Sequence, residues 1–200
     1  MMVVGLTGGI AAGKSTVTEY LRKLGAAIID ADKISKELTE VGSPTLHEIA
    51  DAFGKDILDV SGCLNRKKLA ERIFKSTTER EKLNNILHPR IFQEIKERIA
   101  YYRTKSDVPL IVLDVPLLLE TGMQSMADEV WVVAVSPEVQ LARLMERDGI
   151  TKEMARDRIA SQMPLEEKIK LADRVIDNSG GIPELHNSID KLWAEVVRSS

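Results

Sequence analysis

Residues 5 to 16, GLTGGIAAGKST, contain the spacing G-x-x-x-x-G-K-[ST]. Glycines let successive backbone N–H groups turn toward phosphate oxygens, while Lys14 can reach the β- and γ-phosphates and Ser15 can ligate Mg²⁺. The middle of the loop holds Ala11 and Ala12, which make it stiffer than glycine would, although alanine tolerates most loop conformations with negative φ. The pattern predicts a nucleotide site formed by Gly8, Gly9, Ile10, Ala11, Ala12, Gly13, Lys14, Ser15 and Thr16.

Acidic residues come at the ends of two other apolar runs, IIDAD and VLDVPLLLE. Asp30 and Asp32 share one face if the chain is extended, so one can accept the proton of an attacking hydroxyl while the other holds a Mg²⁺-bound water. The alternative is that one of them caps the helix starting near Lys33, which we favour for Asp30 but not for Asp32. We expect Asp114 to lie near the phosphate loop as a Walker-B acid does, and Glu120 to approach the metal or an acceptor.

Basic side chains that can meet phosphates lie in separate helical segments. Arg143 and Arg147 are four residues apart and share a helix face, either as phosphate ligands or as solvated surface. Arg66, His88 and Arg90 can bind a diphosphate through charge-assisted hydrogen bonds, or they simply face water.

Turn segments at the ends of two apolar runs supply further candidates. Leu117 to Leu119 either pack internally or form an apolar wall for an acceptor. In VIDNSGG, Asn178 and the adjoining backbone can read the edge of an adenine, unless this segment is a plain turn.

Short apolar runs must position these residues. They are continuous rather than alternating, which indicates parallel strands covered on both faces, and helical segments separate them. This order predicts a three-layer α/β fold with a five-stranded parallel sheet. The predicted strands are MMVVGLT, AAIIDAD, PLIVLDV (109–115), EVWVVAV (129–135) and DRVIDN (173–178).

The connection between the second and third predicted strands is unusually long. About eighty residues separate Asp30 from Leu110, although a crossover needs only about a dozen. Helical composition fills it in PTLHEIADAFG, NRKKLAERIF and TEREKLNNILHPRIFQEIKERIAYYRTK, and we expect Pro89 to interrupt the last of these. We predict a single domain over 1–200 with a helical insertion at 60–106, packed against the edge of the sheet.

Composition limits the function classes. The 200 residues carry 28 basic and 31 acidic side chains, and the net charge of -3 without long charge blocks argues against a nucleic-acid partner. The start MMVVGL has no basic residue and meets glycine too soon for a signal peptide or a membrane span. Cys63 is the single cysteine and is expected to be a passive loop thiol. We expect a cytoplasmic protein without a membrane partner, monomeric or weakly homo-oligomeric.

The size and the remaining motifs favour a small-molecule kinase among phosphate-loop proteins. A switch GTPase would carry a guanine-reading N-K-x-D segment, which this sequence lacks, and motor or transporter ATPases are usually larger. Two alternatives remain open at this point. One is a nucleoside or nucleotide kinase with a smaller acceptor, and the other is a nucleotide-binding regulator without an acceptor.

Several motifs together carry a resemblance to a known family. LTGGIAAGKST, IIDADKISKEL, ILHPRIF, VPLLLETG and VIDNSG, in this order, resemble the dephospho-CoA kinases nearly from end to end. The resemblance implies a P-loop kinase fold and transfer of the ATP γ-phosphoryl group to the ribose 3′-hydroxyl of dephospho-CoA, the final step of coenzyme A synthesis. It also implies Mg²⁺ bound with ATP.

The same resemblance implies roles for individual residues. Asp32 would be the catalytic base, acting with Lys14 and Arg147, and the metal would be held through Ser15 and Asp32. The segment 138–165 would be a lid in which Arg143 contacts ATP and Arg147 neutralises charge, while Asn178 completes the ATP site. The acceptor, held in part by the 60–106 insertion, would contact Asp32, Arg66, His88, Pro89, Arg90, Leu117 and Glu120.

Overall fold

The computed structural model describes residues 1–199, and its centre is a parallel β-sheet. The strand order β2-β3-β1-β4-β5 places β1 in the middle, as its continuous apolar sequence requires. The α/β fold and all five strand positions expected from the sequence are confirmed. The strands are β1 (Met2–Gly8), β2 (Ala27–Asp30), β3 (Leu110–Asp114), β4 (Glu129–Ala134) and β5 (Arg174–Asp177).

Helices fill the connections between the strands. Among residues 1–199, none of them is long and apolar enough to cross a membrane. Short 3-10 turns occur at Lys55–Ile57 and Met123–Met126. The helices are α1 (Lys14–Lys23), α2 (Ala31–Glu37), α3 (Pro44–Phe53), α4 (Arg66–Lys75), α5 (Thr77–Arg103), α6 (Pro137–Asp148), α7 (Lys152–Ala160), α8 (Leu165–Lys170) and α9 (Ile182–Ser199).

One compact unit comprises Met1–Ile29 and the described part of Ile99–Ser200. Its core joins the strands to α1 and α9, because Val17 and Leu21 on α1 and Leu185 and Ile189 on α9 follow helical spacing and are fully buried or nearly so. Trp131 on β4 is fully buried, and its indole N–H donates to Glu129 at 2.8 Å. This core fixes the sheet edge from which the phosphate loop extends.

The other compact unit is Asp30–Arg98. Its helices begin at ordinary caps, since Ser43 accepts from Leu46 N–H at 3.1 Å and Asn65 accepts from Lys68 N–H at 3.0 Å. Its buried cluster consists of Ile49, Phe53, Ile57, Leu69 and Leu83. An acceptor-binding role for residues 60–106 stays a prediction.

Cys63 lies in the loop before α4, within the unit Asp30–Arg98. Its side chain is exposed, and its backbone N–H donates to the Asp59 carboxylate at 3.0 Å. The carboxylate also accepts from Ser61 N–H at 2.9 Å, which closes a tight turn ahead of the cysteine.

The expected interruption at Pro89 is wrong, because α5 continues through it from Thr77 to Arg103. Proline removes one N–H donor from the helix and costs about 3 kcal/mol in a helix interior. The side chains of Leu83, Ile91 and Ile95 are at most 7% exposed, so the helix is buried on both sides of the proline. Burying each such side chain contributes about 1.5–3 kcal/mol, which offsets the lost hydrogen bond.

Candidate active site

The phosphate loop leaves β1 at Gly8 and enters α1 at Lys14. Gly13 precedes the helix with φ of 83°, a left-handed conformation that glycine adopts without strain. The N–H groups in the first turn of a helix point out of its start, and the helix dipole adds positive potential there. The Ser15 side chain is exposed at this helix start, where it is accessible to a metal or a phosphate.

Ala11 has a positive φ, which alanine rarely adopts. Its φ is 59°, and it is the one non-glycine residue with positive φ within 1–199. The N–H of Ala12 donates to Gly9 O at 3.0 Å, which closes a turn with Ala11 in its third position. Type II turns require a positive φ at that position, and for alanine this conformation costs about 1–2 kcal/mol.

Lys14 and Asp114 form an ion pair at the base of the loop. Asp114 ends β3 opposite Leu6 of the neighbouring strand β1, and its side chain is only 8% exposed. Thr18, one helical turn after Lys14, donates its hydroxyl to the same carboxylate at 2.7 Å. The structure thus places Asp114 at the phosphate loop, as expected for a Walker-B acid. Thr18 was missed, although its spacing of four residues from Lys14 put it on the same helix face.

Arg143 and Asn178 both lie against the glycine that precedes α1. The Nη1 of Arg143 lies 3.7 Å from the position that a Cβ on Gly13 would take, and Asn178 Nδ2 lies 2.1 Å from it. Gly13 therefore has no room for a larger side chain. The Asn178 amide is 5% exposed and donates to Ala12 O at 2.8 Å, so in this structure it holds the loop backbone. A contact of Asn178 with adenine stays a prediction.

Arg147 is paired with its neighbour Asp148, although its side chain is 56% exposed. Its guanidinium donates to the Asp148 carboxylate at 2.7 and 3.2 Å, and Arg158 donates to the same carboxylate at 2.5 Å. The hydrogen bond from Arg147 holds the pKa of Asp148 below its usual value, and the same bond raises the pKa of Arg147. This cluster joins the end of α6 to α7 within the segment 138–165.

Asp30 and Asp32 do not lie on a common extended face. The strand ends at Asp30, whose carboxylate caps α2 by accepting from Lys33 N–H at 2.9 Å. The capping role that we favoured for Asp30 is confirmed. Asp32 lies in the first turn of α2 with an exposed side chain, and within 1–199 no hydrogen bond or ion pair occupies its carboxylate. The shared-face expectation was wrong because the chain turns helical immediately after Asp30.

The basic acceptor candidates lie within the unit Asp30–Arg98, on two different cavities. Arg66 donates to the Thr39 hydroxyl at 2.7 Å and lines a cavity of about 190 Å³. Arg90 pairs with Glu48 at 2.5 Å and, together with Pro89, lines another cavity of about 490 Å³. His88 is half-buried on α5. Binding of an acceptor by these residues stays a prediction.

The loop after β3 positions the remaining acceptor candidates. Leu117 is 41% exposed and remains available to form an apolar wall, whereas Leu118 is fully buried. Glu120 pairs at 2.8 Å with Lys168, whose side chain is 0% exposed. The Lys168 ammonium group also donates to Pro116 O at 3.3 Å. Glu120 therefore neutralises a buried lysine here, and its contact with an acceptor stays a prediction.

Two glutamines that the sequence did not single out contact the loop. Gln140 on α6 donates to the backbone carbonyl of Ile10, and Gln162 after α7 accepts from the backbone N–H of Ile10. No spacing rule points to them, because they lie 130 and 152 residues from Ile10 along the chain.

A loop of this spacing at the centre of a five-stranded parallel sheet, with its lysine beside a strand-end carboxylate, is the nucleotide site of the P-loop kinases. The sequence profile of one such group, the dephospho-CoA kinases, matches residues 2–184. The chain belongs to the dephospho-CoA kinase family, which confirms the resemblance of the motifs.

Individual relatives agree with this assignment over nearly their whole lengths. A dephospho-CoA kinase of Carboxydothermus hydrogenoformans is 49% identical over 187 residues, which cover 94% of this chain and 90% of the relative. One from Bacillus cereus is 45% identical over 191 residues, which cover 96% and 95%. The solved structure of a dephospho-CoA kinase from Campylobacter jejuni is 30% identical with a TM-score of 0.76, and the match covers 98% of each chain.

Proposed function

We propose that this protein transfers the γ-phosphoryl group of ATP to the ribose 3′-hydroxyl of dephospho-CoA, giving coenzyme A and ADP. Membership of the dephospho-CoA kinase family supports the substrate pair. The observation that carries the chemistry is the phosphate loop, whose Lys14 lies beside Asp114 at the start of α1. We place the reaction in the cytoplasm, in a monomer or weak homo-oligomer without a nucleic-acid partner.

ATP would bind along the phosphate loop and the first turn of α1. The backbone N–H groups of Ala11, Gly13 and Ser15 would donate to the phosphate oxygens, and Lys14 would pair with the β- and γ-phosphates. Arg143 supports this arrangement because its guanidinium lies beside Gly13, and within the described residues no carboxylate pairs with it. It would contact a phosphate or stack on the adenine.

The residues at the loop fit a magnesium ion that is completed by phosphates and water. Within 1–199, no group of three or more His, Cys, Asp or Glu side chains could hold a metal alone. Mg²⁺ in phosphoryl-transfer sites uses few protein oxygens, and the exposed Ser15 hydroxyl is one such ligand. We propose that Asp32 holds the ion through a bound water. When bound, the ion neutralises charge on the transferring phosphoryl group.

Asp32 would accept the proton of the attacking hydroxyl. The ribose 3′-oxygen forms a bond to the γ-phosphorus, the bond from that phosphorus to the bridging oxygen breaks, and ADP leaves. The hydroxyl proton passes to the Asp32 carboxylate, which is exposed and has no hydrogen-bond partner within the described residues. An ordinary aspartate is a weak base, but positioning matters more than basicity in a loose transition state.

The acceptor and the lid complete the proposal. Arg66, His88 and Arg90 would bind the diphosphate of dephospho-CoA, with Pro89, Leu117 and Glu120 contributing to the acceptor site. The segment 138–165 would act as a lid that keeps water from the γ-phosphate, and its Arg147 would neutralise developing charge.

The proposal predicts which acceptor stimulates ADP release from Mg-ATP. Dephospho-CoA is expected to do so and to gain one phosphoryl group by mass, whereas its 3′-deoxy analogue should give only background release. Adenosine should be a poor acceptor. Better use of adenosine or a nucleotide would favour a smaller-substrate kinase, and no stimulation by any acceptor would favour a nucleotide-binding regulator.

Arg143→Ala is expected to weaken ATP binding by about 10- to 150-fold, because a charge-assisted contact to a phosphate contributes about 1.5–3 kcal/mol. Titration with a fluorescent ATP analogue measures this directly, without an acceptor. Arg22→Ala is the matched control, since Arg22 lies in the last turn of α1 and, among the described residues, its guanidinium pairs only with exposed Glu19. Equal ATP affinity in the wild type and in Arg143→Ala would remove Arg143 from the ATP site.

A further inference from the structure

Two side-chain amides form hydrogen bonds with the backbone of Ile10, one as the acceptor and the other as the donor. The Ile10 N–H donates to Gln162 Oε1 at 2.9 Å, and the Ile10 carbonyl accepts from Gln140 Nε2 at 2.9 Å. Gln140 is only 6% exposed, and Gln162 is half-buried. Both glutamines belong to the segment 138–165, so this segment grips the phosphate loop through its backbone. We name the pair Gln140 and Gln162 the glutamine clamp.

The clamp acts next to the one strained residue of the loop. Ala11 follows Ile10 and has φ of 59°, a conformation that persists only where its surroundings determine it. On the other side of Ala11, the Ala12 N–H donates to Gly9 O at 3.0 Å and the Ala12 carbonyl accepts from Asn178 at 2.8 Å. The N–H and C=O of both residues flanking Ala11 are therefore all hydrogen-bonded.

We propose that Gln140 and Gln162 are positioning residues that hold Ala11 in its left-handed conformation, and that they thereby shape the phosphate loop for ATP. Alanine prefers negative φ, and such a rotation would turn the neighbouring peptide groups away from their present directions. The loop N–H groups can converge on phosphates only while those directions are kept. The clamp acts through Ile10 and touches no reacting atom.

The inference rests on ATP binding by this loop and not on the identity of the acceptor. Its tests therefore measure the dissociation constant of an ATP analogue directly, with wild-type protein titrated beside each variant. Failure of the wild type to bind ATP would contradict the proposed function. If the wild type binds ATP and the clamp variants bind it with the same dissociation constant, only the proposal about the clamp is contradicted.

The two glutamines form a matched pair, because one accepts and the other donates. Glutamate can still accept from Ile10 N–H at position 162, but at position 140 it places an oxygen against the Ile10 carbonyl. We expect Gln140→Glu to weaken ATP binding about tenfold and Gln162→Glu to change it by no more than about twofold. Both variants add the same charge, so equal losses would assign the effect to charge and overturn the proposal. Unchanged ATP affinity in both variants would also overturn the proposal.

Ala11→Gly provides a rescue that a merely structural role would not show. Glycine adopts positive φ without strain, so the phosphate loop of the Ala11→Gly variant depends less on the clamp. Gln162→Ala should weaken ATP binding about tenfold in the natural chain but only about twofold when Ala11→Gly is also present. An equal factor in both backgrounds would show that the clamp does not act through Ala11.

Gly9→Ala tests the clamp without changing either glutamine. Gly9 has no positive φ, but a Cβ there would lie 2.6 Å from Gln140 Nε2 and would displace that amide. Gly9→Ala should therefore weaken ATP binding as much as Gln140→Ala, and the double variant should be no weaker than either single one. Additive losses would contradict the proposal.

Amide exchange at Ile10 and Leu6 gives a folding control, because loss of Gln162 should speed exchange at Ile10 alone.

Discussion

Lys14→Ala is expected to lower the rate of phosphoryl transfer by about 10³-fold or more. The Lys14 ammonium group lies at the start of α1 beside Asp114, where it would neutralise charge on the β- and γ-phosphates during transfer. Alanine at this position supplies no charge and no donor. Single-turnover measurement of product formation at saturating ATP separates this effect from weaker binding.

The folded state should survive this substitution. Asp114 keeps its hydrogen bond from the Thr18 hydroxyl at 2.7 Å, so its buried carboxylate retains a donor. Lys23→Ala, at the exposed end of the same helix, should retain full activity. Thermal unfolding of both variants checks the fold. A folded Lys14→Ala protein with more than about a tenth of normal turnover would contradict the assigned role.

Asp32→Asn is expected to lower turnover by about 10²–10⁴-fold while leaving the affinity for ATP unchanged. Asparagine matches aspartate in size but cannot accept the hydroxyl proton. Because the carboxylate is exposed and, within 1–199, has no hydrogen-bond partner, the substitution breaks no structural contact. The measurements are kcat with dephospho-CoA and the dissociation constant of an ATP analogue.

Asp30→Asn is the matched control for that prediction. Asparagine caps helices as well as aspartate does, so α2 should keep its start and turnover should stay within about twofold of normal. If Asp30→Asn were as damaging as Asp32→Asn, the effect would belong to the start of α2 and not to a base. Loss of ATP binding in Asp32→Asn would also count against the assignment.

The sheet and the phosphate loop were predictable from local sequence. Strands buried on both faces must be apolar at every position, so β3 and β4 are visible as continuous runs. The loop is visible because its backbone needs glycine at Gly8 and Gly13, with Lys14 and Ser15 at fixed places. Asp114 could be placed because it ends a central parallel strand.

The other features of the site and of helix α5 depend on contacts between distant parts of the chain. Asn178 reaches Ala12 across 166 positions, and Gln162 reaches Ile10 across 152, so no local pattern indicates either bond. The φ of Ala11 is 59°, which the preference of alanine for negative φ does not predict. Similarly, helix α5 continues through Pro89 because burial of its side chains outweighs the tendency of proline to interrupt a helix.

The exposed thiol of Cys63 makes the protein convenient for spectroscopy. It is the single cysteine of the chain and lies in the unit Asp30–Arg98. A maleimide dye or nitroxide would therefore attach at one defined position without prior removal of other thiols. A second cysteine introduced in the segment 138–165 would give a labelled pair whose separation could be followed by energy transfer during a catalytic cycle.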